Sequence, residues 1–201
     1  MAMILASQSP RRRELLGQMG FSFTVRPAKG EELPHPELTP AQLVEELARQ
    51  KALEVSAEAA SDDVVVAADT VVAIDGVVLG KPRDKAHAAE MLSALSGREH
   101  TVYTGVAVKR GETLLVEHEA TQVRFRPLTQ WEIDLYIQTG EPMDKAGSYG
   151  IQGCGALLVE GIRGDYFNVV GLPICRLGRM LAQVGEDALA QCAQKCAEKE
   201  R

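Results

Sequence analysis

The sequence is poor in aromatic side chains, with one Trp, four Tyr and four Phe in 201 residues. That scarcity argues against a platform on which successive bases of a single strand would stack. It also lacks an excess of positive charge: 22 Lys and Arg stand against 28 Asp and Glu, a formal net charge of −6 with a pI near 5.3. No global positive field holds duplex nucleic acid or an anionic membrane, so a polyanion has to meet a local basic cluster. Cysteine is confined to Cys154, Cys175, Cys192 and Cys196, with no C-x-x-C pair to spell a zinc or redox site, and reduced thiols are the simpler reading. His35, His87, His100 and His118 show no metal-ligand spacing, and no G-x-S-x-G elbow occurs. Long apolar runs are missing as well. Neither Met3–Ala6 nor Val64–Ala68 approaches the length of a bilayer span or a signal-peptide core, and Arg11, Arg12 and Arg13 follow the first stretch rather than precede it. The expected compartment is the cytoplasm, with neither a membrane nor a nucleic-acid polymer as partner.

What is present is the composition of a globular protein: 45% apolar, 25% charged, mean hydropathy −0.09. At roughly 150 residues per domain the length suits one large domain or two small lobes. No repeat and no Pro/Ser-rich linker divides it, so residues 1–185 read as one domain and 186–201 as a polar tail, helical by propensity and free to fray. Met3–Ala6 reads as a buried strand, and Ser9-Pro10 supplies an N-cap and an N1 proline for a helix through Met19. Phe21–Val25 suggests a second strand, the proline-rich Lys29–Pro40 a loop, and Thr39-Pro40 the start of a helix to about Ala60. The β-branched run Val64–Ile74, ended by the turn signal Asp75-Gly76, predicts a central strand buried on both faces. Asp84 caps a helix to Gly97, His100–Val108 and Thr113–Phe125 form an antiparallel ribbon, Thr129 opens another helix, and a last one spans about Pro173–Val184.

Five features carry candidate chemistry. Ser7, Ser9 and the arginines after Pro10 place hydroxyls, free amides and cations at a helix N-terminus, where the macrodipole disfavours cations unless an anion such as phosphate sits there; a solvated basic patch is the bland alternative. Asp69 interrupts an apolar strand, which costs several kcal/mol unless a cation, a metal or hydrogen bonds compensate. With Thr70 it is either a site residue facing a cleft or a structural aspartate bonded to backbone amides. Lys51, four residues from both Leu47 and Val55, lies on the core-facing stripe of its helix, either serving a site or snorkelling to the rim. Lys81, held extended by Pro82, points across a cleft or is an ordinary loop lysine; Gly80-Lys81 is no Walker A, since Asp75 and Pro82 stand where Gly and Ser/Thr are required. The glycine-dense passage Gly147–Gly155 lets backbone approach a ligand, with Ser148, Tyr149 and Gln152 as polar readers, unless it is a plain turn.

Six strings in order, Leu5-Ala-Ser-Gln-Ser-Pro-Arg-Arg12, Ala67-Ala-Asp-Thr-Val-Val72, Gly80-Lys-Pro-Arg-Asp84, Asp144-Lys-Ala-Gly147, Tyr149-Gly-Ile-Gln-Gly153 and Val169-Val-Gly-Leu-Pro173, resemble the Maf family of nucleoside triphosphate pyrophosphatases. The resemblance covers about Met3 to Val184 and departs at Gln8, where glycine is common, and Cys154, which replaces an aliphatic residue. It implies an α/β, inosine-triphosphatase-like fold, a mixed central sheet with flanking helices and a nucleotide cleft between two lobes. It further implies hydrolysis of a nucleoside triphosphate to monophosphate and pyrophosphate with Mg²⁺ or Mn²⁺. Carried over by position, Asp69 is the general base and a metal ligand, Glu32 assists at the metal, Ser7, Arg11, Arg12, Lys51 and Lys81 hold substrate, and Arg11, Thr70 and Gln152 set specificity. The Tyr-Gly-Ile-Gln-Gly form looks like the branch acting on dTTP and UTP. Two other functions stay open: a broad house-cleaning pyrophosphatase for modified nucleotides, and a nucleotide-sensing regulator of cell division that binds without turnover. The presence of Asp69 among the cations favours an enzyme. The resemblance leaves the oligomeric state open, a homodimer included.

Overall fold

The computed structural model describes residues 2–30, 35 and 37–199. The chain runs β1 (Met3–Leu5), α1 (Pro10–Gln18), β2 (Phe23–Val25), α2 (Pro40–Ser56), β3 (Val64–Ile74), β4 (Val77–Leu79), α3 (Lys85–Leu95), β5 (Glu99–Arg110), β6 (Thr113–Phe125) and α4 (Gln130–Gln138), then β7 (Val159–Arg163), α5 (Tyr166–Val170), α6 (Ile174–Gln183) and α7 (Ala188–Lys199). The predicted caps form. Ser9 Oγ accepts from the Arg12 amide ahead of Pro10, and Asp84 accepts from the His87 amide. Thr39 and Gln42 complete a reciprocal capping box at α2, as Thr129 and Glu132 do at α4. Strand β2 starts later than the expected Phe21, because the Phe21 amide closes α1 on the Leu16 carbonyl and its ring is buried.

The sheet order is β2-β1-β3-β5-β6-β7, with β4 added to β3. β1 lies parallel to β2 and β3, and the remaining pairs are antiparallel, so the sheet is mixed as expected. One edge of β3 is covered by β5 from Val65 to Ala73. The other edge is shared: β1 covers Val64–Val66 and β4 covers Val72–Ile74. Among the described residues no strand therefore lies beside residues 67–71 on that edge.

Side chains alternate along β3. Val64, Val66 and Ala68 face a core built with Leu15 and Leu16 of α1 and Leu177, Met180 and Leu181 of α6. Val72 and Ile74, on the same face, belong to a second core with α3 and α4. Thr70 stands between the two. On the opposite face Val65 and Ala67 pack against Ala48, Ala52 and Val55 of α2. That contact is close because Gly105 of β5, the cross-strand neighbour of Asp69, lies under α2: a Cβ there would sit 2.1 Å from the Val44 carbonyl oxygen. Backbone cannot yield as a side-chain tip does. Gly105→Ala is therefore expected to lift α2 and lower stability by about 1–3 kcal/mol or more, readable as a lower midpoint in urea.

The tail is helical, as its propensity predicts, but it is docked. Lys195 Nζ donates to the Gly17 carbonyl (3.0 Å) at the end of α1, whose own last turn carries no basic residue. Glu186, 7% exposed, accepts from Gln191 and lies 3.5 Å from Arg110. Among the described residues no helix is long and apolar enough to cross a membrane.

Candidate functional site

The uncovered stretch of β3 is the floor of a cleft of about 770 Å³ between the two cores. Asp69 and Thr70, adjacent in a strand, project to opposite faces of the sheet, yet both reach the cleft because no described strand covers that edge. Asp69 is compensated by a cation rather than by backbone amides: Lys51 Nζ lies 2.5 Å from its Oδ1, the two side chains being 19% and 13% exposed. Lys51 sits on the buried stripe of α2 between Leu47 and Val55, and its ammonium ends on the carboxylate instead of snorkelling to solvent.

On the other side Arg12 is the organiser. Its Nε donates to the Gly171 carbonyl (2.7 Å), one terminal nitrogen to Ser7 Oγ (3.1 Å) and the other to Thr70 Oγ1 (2.9 Å). Thr104 uses its only proton on the Asn168 carbonyl (3.0 Å), so Thr70, 2.9 Å away, donates to Thr104. The Thr70 proton is thus committed inward. Ser7 Oγ accepts from both Arg12 and the Ser9 amide, which leaves its own O–H free to donate into the cleft. For Ser9 the structural role prevails, since its hydroxyl caps α1.

Arg11 lies 3.7 Å from Asp144, and Lys81 is exposed at the rim, with its ammonium making no hydrogen bond or ion pair to any described residue. Of the polar readers expected in the glycine-rich passage, two are withdrawn. Ser148 is fully buried against Met91, and the Tyr149 hydroxyl pairs with His100 Nε2 (2.8 Å). Gln152 remains: it is half-buried in the cleft wall, and its amide makes no hydrogen bond to a described residue. Thr104 and Asn168 carry no mark in the sequence, because their role comes from strand register; Gly171 lies in the string Val169–Pro173, but its bond to Arg12, 159 residues away, is a matter of tertiary structure. Glu32 lies outside the described residues.

The described lining brings five cations, Arg11, Arg12, Lys51, Lys81 and Lys145, against two carboxylates, Asp69 and Asp144. This is the local basic cluster that an acidic chain needs in order to hold a polyphosphate. Among the described residues no group of three or more His, Cys, Asp or Glu is arranged around a metal ion. The donor set suits Mg²⁺ or Mn²⁺ taken up with substrate, because such ions need only one or two protein carboxylates when phosphate oxygens and water complete the shell.

His100 belongs to the packing beneath the site. It is 3% exposed, edge-on to Phe125 and Tyr149, and burial lowers its pKa from the usual 6.5 to about 4. A depressed histidine adds stability above its unfolded value and loses it as pH falls through the folded one. Between pH 6.5 and 4 the chain is expected to lose on the order of 3 kcal/mol through this group. Chemical denaturation of His100→Gln across that range checks it, the variant showing a flatter pH dependence.

A family model described as Maf-like protein matches residues 2–184. A protein of Symbiobacterium thermophilum named dTTP/UTP pyrophosphatase is 55% identical over 184 residues, covering 91% of this chain and 94% of that one. One of Moorella thermoacetica with the same name is 55% identical over 188 residues, covering 92% and 96%. A solved dITP/XTP pyrophosphatase of Mycobacterium abscessus overlays with a TM-score of 0.45 at 18% identity, covering 92% of this chain and 97% of that one. With a family model spanning nearly the whole chain and relatives this similar over nearly all of their length, the chain belongs to the Maf family.

Proposed function

We propose that the chain hydrolyses dTTP and UTP to the nucleoside monophosphate and pyrophosphate, acting on free nucleotide in the cytoplasm. The observation that carries the reading is the Asp69–Lys51 pair on the open edge of β3, facing a cation-rich cleft in a chain of net charge −6. The names of the relatives supply the substrate. In this reading Asp69 takes a proton from the water that attacks the α-phosphorus, and the bond to the β-phosphate oxygen breaks. Lys51 orients the carboxylate. Arg11, Lys81 and the Ser7 hydroxyl hold the β- and γ-phosphates, so that charge growing on the leaving pyrophosphate meets fixed cations. Arg12, committed to Gly171, Ser7 and Thr70, keeps that wall in register. A Mg²⁺ or Mn²⁺ ion held by Asp69, with Glu32 assisting, would neutralise phosphoryl charge. No covalent nucleophile is needed.

The test is a panel of natural and modified nucleotides with Mg²⁺, scoring pyrophosphate and phosphate separately. Pyrophosphate from dTTP and UTP is the expected result, and release of single phosphates overturns the reading. A preference for modified nucleotides favours the house-cleaning alternative, while binding without turnover favours a sensor. EDTA is expected to abolish activity and Mg²⁺ or Mn²⁺ to restore it; full turnover in chelator removes the metal role.

A further inference from the structure

The segment that carries Gln152 has no regular secondary structure to hold it, being a bend followed by a short 3-10 turn at Gly153–Leu158. Ile151 anchors it in the core beside α1 and α6, and on the far side of Gln152 its backbone amides are held by a single carboxylate. Glu141, at the start of another 3-10 turn after α4, accepts from the Cys154 amide (2.9 Å) on one oxygen and from the Gly155 amide (3.0 Å) on the other. The second oxygen also accepts from the Tyr136 hydroxyl (2.9 Å). Tyr136 in turn accepts from the Gly150 amide (3.2 Å), so Glu141 and its phenol grip the loop on both sides of Gln152. Burial, together with the neighbouring carboxylate, pushes the Tyr136 phenol up, and it stays protonated and able to donate. The loop is shaped around the carboxylate: Gly153 has φ +64°, and a Cβ there would lie 2.7 Å from the Glu141 oxygen. The Glu141 backbone is itself fixed, since Lys145 Nζ donates to its carbonyl (2.6 Å).

From this geometry we infer that Glu141 is a positioning residue for base selection, fixing the backbone from which Gln152 reaches the nucleobase while touching neither substrate nor reacting atoms. The inference rests on the proposed pyrophosphatase function and deepens it. A carboxylate accepting two backbone amides is a charge-assisted clamp, and removing one acceptor leaves an amide facing a donor. A reader carried on a wandering backbone discriminates poorly, because discrimination comes from unmatched polar groups brought to the same place each time.

The experiment is steady-state kinetics of wild type and Glu141→Gln with dTTP, UTP and CTP, alongside thermal melting. Glu141→Gln keeps one carbonyl oxygen and turns the other acceptor into an NH₂ facing an amide N–H. The expected result is a KM for UTP raised about tenfold or more, a UTP over CTP ratio reduced by a similar factor, and kcat within about threefold of wild type. Glu141→Asp keeps the charge and is expected to recover part of the ratio. A purely structural carboxylate would lower the melting temperature and leave the ratio unchanged, and that outcome overturns the inference. If Glu141→Gln does not fold, Tyr136→Phe, which removes the link to Gly150, is read in its place, with a retained ratio again overturning it. A wild type that prefers another base sinks the dTTP/UTP reading alone, and the same KM and ratio are then measured on the base it does prefer.

Discussion

Asp69→Asn is expected to keep the fold and lower kcat for UTP by a factor on the order of 10² to 10⁴, the range for a lost general base. The amide has the shape of the carboxylate and still offers Lys51 Nζ a carbonyl oxygen, so the contact between α2 and β3 survives. What is lost is the capacity to receive a proton from water. Lys51 cannot substitute, since its ammonium has no lone pair to accept one. Circular dichroism and melting should match wild type within a few degrees, and single-turnover rates should carry the whole defect. A variant with near wild-type kcat would falsify the assignment of Asp69 as base. A collapse in melting temperature would instead assign it the structural role of balancing a half-buried ammonium.

This site was legible in the sequence to the extent that its parts break local rules. Asp69 stood out as a charge inside the run Val64–Ile74, and Lys51 as a cation on an apolar helical stripe; each was ambiguous alone, and the structure joins them across 18 residues. The turn at Asp75-Gly76 and the caps at Ser9, Thr39, Asp84 and Thr129 are legible in the sequence because turns and caps are local chemistry. Helix α5 leaves no signal in the sequence because five residues are too few to show a 3.6-residue period, and β7 leaves none because Glu160 and Gly161 break its alternation. The open edge of β3 is a consequence of where β1 and β4 happen to end, which no window of sequence reports. Gly105 is a second case. Its need for glycine comes from Val44, 61 positions away, through helix-on-sheet packing. Tyr149 as a polar reader of a ligand is a third case: its hydroxyl is turned to His100 of β5, 49 positions away.

Gln152→Ala is expected to narrow the preference for UTP over CTP by a factor on the order of 10² while changing kcat for UTP far less. The amide of Gln152 offers one donor and one acceptor, which match O4 and N3–H of uracil and thymine. Cytosine inverts both positions, presenting an amino group and an unprotonated ring nitrogen. In the structure this amide is held in the cleft wall with its polar atoms making no hydrogen bond to a described residue, so its pairing capacity is available to a base. Removing the side chain withdraws the match to uracil and the mismatch to cytosine together, so kcat/KM for UTP falls while that for CTP holds or rises. Gln152→Glu tests the pairing itself. A carboxylate is acceptor-only: it keeps the bond from N3–H of uracil but clashes with O4, and it gains a bond from the cytosine amino group but clashes with the bare N3, so the preference for UTP should collapse to about the level of the alanine variant. Equal wild-type kcat/KM for UTP and CTP, or a Gln152→Glu enzyme as selective for UTP as its parent, would show that the base is read elsewhere in the cleft.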